Sequence, residues 1–122
     1  MAMERATVLR AGGCEVVEAD WGRLTWYASG RLGNSRDLTV GRCVIRPGAE
    51  NPLHQHPNCS EVLVVLQGRV EHTIEGGACV TLGEGDVITL PVGLPHRAKN
   101  IGTEDAVLLI AFSSADRLTK GE

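Results

Sequence analysis

"GAENPLHQHPNCSEVLVVLQG", residues 48–68, sets a run of titratable side chains directly before an apolar strand. "EVLVVLQ" (61–67) is rich in β-branched and leucine residues and ends at Gly68, the pattern of a short strand closed by a turn. Pro57 disfavours a helical conformation at His56, because its ring clashes with an α-region predecessor. His54 and His56 therefore fall on extended backbone, where residues two apart face the same side. Glu61 opens the next strand in phase with Leu63 and Val65 rather than with Val62 and Val64. Two imidazoles and a carboxylate can converge on one ion from this stretch. They can equally be the polar side of a surface hairpin, and the rest of the chain has to decide.

The same rhythm runs outward in both directions. With 15 glycines and 5 prolines, turn signals recur between "ATVLR", "CEVVEA", "LTWYA", "LTVGRCVIR", "RVEHTI", "CVTL", "DVITL" and "AVLLIAF". Short strands at this spacing predict an all-β sandwich or barrel. "RPG" (46–48), "EGG" (75–77), "LGEGD" (82–86) and "LPVG" (90–93) supply the turns. Helical periodicity is absent apart from a weak signal at "SSADRL" (113–118), and there is no internal repeat, linker or low-complexity stretch.

A length of 122 residues predicts one domain. The net charge of −3 argues against nucleic acid as a partner, since that needs a basic face. No apolar run approaches the ~20 residues of a membrane helix, and "MAMERATVLR" lacks the basic start and apolar block of a secretion signal. The 4 cysteines are scattered with no CxxC pair, which predicts free thiols in a reducing cytoplasm.

A second string decides between the readings of the first. The first string sets Gly48, His54, His56, Glu61 and Gly68 in the order G-x5-HxH-x4-E-x6-G, and "GDVITLPVGLPHRAKN" (85–100) sets Gly85, Pro91, Gly93, His96 and Asn100 in the order G-x5-PxG-x2-H-x3-N. Together the two strings resemble the paired motifs of the cupin superfamily, and with flanking strands the resemblance covers residues 38–112. It implies an all-β double-stranded β-helix, the jelly-roll barrel, as a single cupin domain over 1–122. N-terminal strands would occupy 1–37 and a short tail 113–122. It also implies that His54, His56, Glu61 and His96 bind one divalent transition metal. Glycines 48, 68, 85 and 93, with Pro91 and Asn100, would be structural. Three imidazoles and a carboxylate suit Mn, Fe, Ni, Zn or Cu, and relative to octahedral coordination they leave two positions open.

Other residues are candidates on chemical grounds. His72 shares parity with Val70 and Ile74, so it points inward, as a hydrogen-bonded core residue or a catalytic acid–base. Arg42, Arg46 and Arg97 can fix a carboxylate substrate, or simply be exposed. Trp26 and Tyr27 face opposite sides of a strand, so one is core and the other a pocket wall or subunit contact. Cys59 reads as a buried bystander rather than a ligand.

A complete ligand set favours an enzyme acting on a small oxygenated molecule, with oxidase or dioxygenase chemistry placed ahead of lyase, decarboxylase or isomerase chemistry. The alternative is a non-catalytic, metal-dependent module that binds a small acid or sugar. Oxalate-decarboxylase chemistry asks for a lid carrying an acid, and the nearest stretch is "GRLGNSRDL" (30–38) with Asp37. Retention of Glu61 weighs against the uronate ring-opening cupins, and the metal tetrad against the epimerase type. Sheet edges and the doubly apolar "AVLLIAF" predict a homodimer.

Overall fold

The computed structural model describes residues 6–75 and 77–121. A short 3-10 turn at Ala11–Gly13 precedes β1 (Glu15–Ala19), β2 (Gly22–Ala28), β3 (Thr39–Ile45), β4 (His54–Gln55), β5 (Glu61–Gln67), β6 (Val70–Ile74), β7 (Ala78–Leu82), β8 (Val87–Leu90), β9 (His96–Asn100), β10 (Ala106–Phe112) and β11 (Lys120–Gly121). Among the described residues the chain is mostly β, in two sheets, with one short 3-10 turn. Two expected elements are missing: residues 6–10 form no strand, and 113–118 hold only a turn at 115–116. Residues 1–5 of the expected N-terminal region, and Gly76 of the "EGG" turn, lie outside the described residues.

The most apolar run becomes the middle of the larger sheet. β10 pairs with β3 on one side and β5 on the other, within the order β1-β2-β3-β10-β5-β8. Its alternate residues Ala106, Leu108, Ile110 and Phe112 are buried, as are Glu61, Leu63 and Val65 of β5. The smaller sheet runs β11-β4-β9-β6-β7, and its Val70, Leu82 and Ala98 join the same core cluster as Leu63, Val65 and Leu108. Two sheets thus share one apolar interior, with period-2 alternation aiming one face of each at it.

The closed double-stranded β-helix barrel implied by the resemblance is corrected by this topology. Neither sheet closes: β1 and β8 are the edges of one, β11 and β7 of the other, and no ladder joins them. Proline explains part of the gap. β8 stops before Pro91, β9 starts after Pro95, and the two-residue β4 is bracketed by Pro52 and Pro57. Each proline removes a backbone donor where a closing ladder would need one. The chain crosses from the large sheet to the small one at Gly68, whose φ of 89° suits glycine and whose Cα faces Ala106 too closely for a side chain.

Two buried residues fix the geometry near the site. Trp26 packs on Phe112 with ring centroids 6.0 Å apart, and its cross-strand partner is Gly41, which leaves room for the indole. Asn100 is fully buried and satisfied: its amide donates to the carbonyls of Ile45 and Glu104, and its Oδ1 accepts from Gly102 N–H.

Candidate metal centre

Four side chains from three strands and one turn meet at the end of the core. His54 on β4 lies directly opposite His96 on β9, and their rings are 4.3 Å apart. His56 follows on extended backbone, held there by Gly93 N–H, which donates to its carbonyl at 2.9 Å. Its ring is 5.0 Å from His54. Glu61, the first residue of β5, is buried with Oε1 3.3 Å from His56 Nε2 and 3.4 Å from His96 Nε2. One ligand atom from each of the four lies within 4.8 Å of the others.

The proton positions decide what this cluster is for. His54 Nδ1–H donates to the Pro52 carbonyl at 2.7 Å, and His56 Nδ1–H to the Leu118 carbonyl at 2.9 Å. His96 Nδ1 lies 3.0 Å from His72 Nε2. With Nδ1 of His54 and His56 engaged as donors, the Nε2 of each presents a bare lone pair, and His96 does the same in the tautomer whose Nδ1–H donates to His72. His56 Nε2, His96 Nε2 and Glu61 Oε1 are buried and have no hydrogen-bond partner. Although they sit at ion-pair distances, the His56 Nε2 lone pair faces Glu61 Oε1 at 3.3 Å. A cation resolves that repulsion, and the outer hydrogen bonds set the ring tautomers that it requires. His54, His56, Glu61 and His96 form one divalent-metal-binding site of unspecified metal.

Burial reinforces the neutral state. It lowers the pKa of His54, which the Pro52 carbonyl partly opposes, and pushes His72 down to about 4 and His96 down to about 2. Neutral imidazole is the form that ligates.

The open side of the tetrad faces a cavity of about 240 Å³ walled by Trp21, Trp26, Leu63, Leu108, Ile110 and Phe112. His72 lines it too, fully buried, with Nδ1 unpartnered. Trp26 lines the cavity, whereas the adjacent Tyr27 does not and is half-buried. The structure brings none of the three candidate arginines there. Arg42 is exposed between Thr25 and Leu109, Arg46 donates to the carbonyls of Ala19 and Asp20, and Arg97 pairs with Glu50 at 3.3 Å. Cys59 is buried in the core cluster, outside the tetrad, and burial raises its thiol pKa. Asp37 is exposed, and "GRLGNSRDL" is a turn tied down by Asn34 and Ser29 rather than a cover for the cavity.

Sequence reasoning missed the C-terminal segment. Arg117 and Thr119 line the cavity, and Leu118 supplies the carbonyl that holds His56. "SSADRLTKGE" carries no motif, so only its long-range contacts reveal it.

Residues 41–112 match the family described as Cupin domain. The chain belongs to the cupin family. Among curated proteins it is 39% identical over 85 residues to a probable germin-like protein, subfamily 2 member 5, of Arabidopsis thaliana, covering 66% of this chain and 40% of that one. It is 37% identical over 89 residues to the auxin-binding protein ABP19b of Prunus persica, covering 66% and 41%. Among solved structures, oxalate decarboxylase of Bacillus subtilis at pH 4.6 superposes with a TM-score of 0.80 at 27% identity, covering 88% of this cupin and 29% of that chain. The S161A mutant of the same enzyme gives 0.80 at 25% identity and the same coverage. This cupin therefore spans about two fifths of such curated relatives and under a third of those structures. The oxidase or dioxygenase assignment is corrected here, because the similar structures are decarboxylases. The tetrad suits either chemistry, so the ligand spacing could not choose.

Proposed function

We propose that this cupin is a metal-dependent enzyme of decarboxylase or related lyase type acting on a small carboxylate. The observation that carries this reading is a lone-pair tetrad opening onto a small, largely apolar cavity. A volume of about 240 Å³ admits only a small ligand. The likeness to oxalate decarboxylase structures supports the reaction type.

A divalent ion held by the tetrad would supply Lewis-acid polarisation to a carboxylate or carbonyl oxygen. The chain's own residues do the rest. Leu63, Leu108, Ile110 and Phe112 exclude bulk water and keep the local dielectric low. Glu61 is the only carboxylate lining the cavity among the described residues, and its Oε1 is turned toward the imidazoles. We assign His72 to holding His96 rather than to proton transfer, because its Nε2 is already engaged.

The test is to incubate metal-reconstituted protein with oxalate and other small carboxylic acids while following carbon dioxide release and dioxygen uptake. Metal-dependent carbon dioxide release is expected. Tight retention of an unchanged acid, with no turnover of any acid in the panel, would make the protein a binding module instead.

We further propose a homodimer. Val62, Leu66 and Val87 are exposed on the larger sheet, an apolar face that a second copy would cover. A monomeric mass at micromolar concentration would overturn this. The acidic net charge supports the absence of nucleic-acid binding, no described helix is long and apolar enough to cross a membrane, and four free cysteines support a cytoplasmic location. That residues 1–122 form a single cupin domain is likewise our proposal.

A further inference from the structure

The segment after β10 is stitched to the turn that carries the metal ligands. Asn58 holds it on both sides of Arg117: its Nδ2 donates to the Asp116 carbonyl at 2.9 Å, and its Oδ1 accepts from Leu118 N–H at 3.0 Å. Leu118 in turn accepts from His56, and β11 pairs with β4 beside His54. Arg117 is thereby fixed from both flanks. Its guanidinium lies 4.3 Å from the Trp26 ring centroid and 5.3 Å from that of Phe112, both cavity walls. Stacking on two aromatic faces holds the fork in one orientation.

Among the described residues Arg117 is the only lysine or arginine lining the cavity, and no described carboxylate lies within ion-pairing distance of it. Its side-chain partner is the Thr119 hydroxyl, and a guanidinium has five N–H donors. Arg117 lines the same cavity as Glu61 and His54. A divalent ion, one carboxylate and this guanidinium leave the cavity with a net positive charge in apolar surroundings. Uncompensated charge is costly there, so the missing element is an anion.

We propose that Arg117 is the specificity residue of this site, binding a carboxylate group of the substrate by charge-assisted hydrogen bonds while the substrate's reacting end meets the metal. The proposal rests on the small-carboxylate reading above and adds the residue that recognises the charge. Arg117 lies beyond the matched domain region, so neither motif encodes it.

The experiment measures binding rather than turnover. Mn(II)-loaded protein is titrated calorimetrically with oxalate, acetate and neutral acetamide, in the parent, R117K, R117Q and R117M. Losing a charged hydrogen-bond donor should weaken oxalate and acetate about tenfold or more in R117M, with acetamide unaffected. R117Q, which keeps a planar group over Trp26, should lose the anions too, and R117K should fall between. Mn(II) affinity should stay within about threefold of the parent, since Arg117 is not a ligand. Equal anion affinity in parent, R117Q and R117M would overturn the proposal while leaving the carboxylate reading intact. So would a parallel loss of Mn(II), which marks a packing role. A parent that binds neither anion would remove the carboxylate reading, and Arg117's role with it.

Discussion

His72 Nε2 lies 3.0 Å from His96 Nδ1, with the two rings 12° from coplanar, so a buried non-ligand histidine orients a ligand. When His96 ligates the metal through Nε2, its proton is on Nδ1 and is donated to His72, the acceptor. Removing that acceptor leaves His96 free to rotate or change tautomer. His72→Leu should weaken metal affinity by about 10–100-fold, and His72→Gln, which retains an acceptor, should recover part of it. Chelator competition measures both. Unchanged affinity in His72→Leu would reduce His72 to a packing residue.

His54→Ala and Glu61→Gln should each abolish stoichiometric metal, read by elemental analysis of protein purified without added metal. Divalent metal should raise the thermal midpoint of the parent, because it binds only the folded site, and should not raise that of either variant. Glu61→Gln is the sharper of the two, since it keeps the shape and removes the negative charge. Full metal retention there would show that the imidazoles suffice.

The metal-free protein should lose stability on acidification, starting near neutral pH. Burial lowers the folded-state pKa of His54, His72 and His96, to about 4 for His72, whereas an unfolded histidine titrates at 6.5. Between those values the unfolded chain binds more protons, so stability is fully present above about pH 6.5 and falls as pH drops toward 4. Urea titrations at several pH values check the slope. His72→Leu should flatten it, and a stability independent of pH over this window would contradict the buried neutral state.

Gly41→Ala should destabilise the fold by about 1–3 kcal/mol and narrow the cavity. A Cβ at Gly41 would meet Trp26 Cζ3 at 2.7 Å and the Thr25 carbonyl oxygen at 2.9 Å. Trp26 would have to shift, and with it the aromatic support under Arg117. The denaturation midpoint and tryptophan fluorescence report both effects. An unchanged midpoint would show that the indole has spare room.

Local chemistry made much of this protein legible. Strand phase at "EVLVVLQ" placed Glu61 inward beside Leu63 and Val65, and parity placed His72 with Val70, both as found. The resemblance of the two motifs to those of cupins named all four ligands, and the two-residue strand period with the proline-set turn put His54 and His56 on one side. Sheet closure was not legible, since it depends on which edges pair, and that is settled by long-range register. The arginines near the motifs failed as cavity residues for the same reason. Arg42 and Arg97 are one residue out of phase with Cys43 and His96 and so face away from the interior.

The amino-acid sequence by itself determined most of the strands and turns, which follow from chemistry within a few residues, and its two motifs, through their resemblance to those of cupins, named the metal ligands. Only the tertiary structure decided what surrounds them. His96 meets His72 across a strand pairing, and the segment after β10 returns to place Leu118 on His56 and Arg117 over Trp26. Those contacts join residues distant in sequence, 62 positions apart for the His56–Leu118 bond and farther still for Arg117 over Trp26, and no local periodicity carries that information.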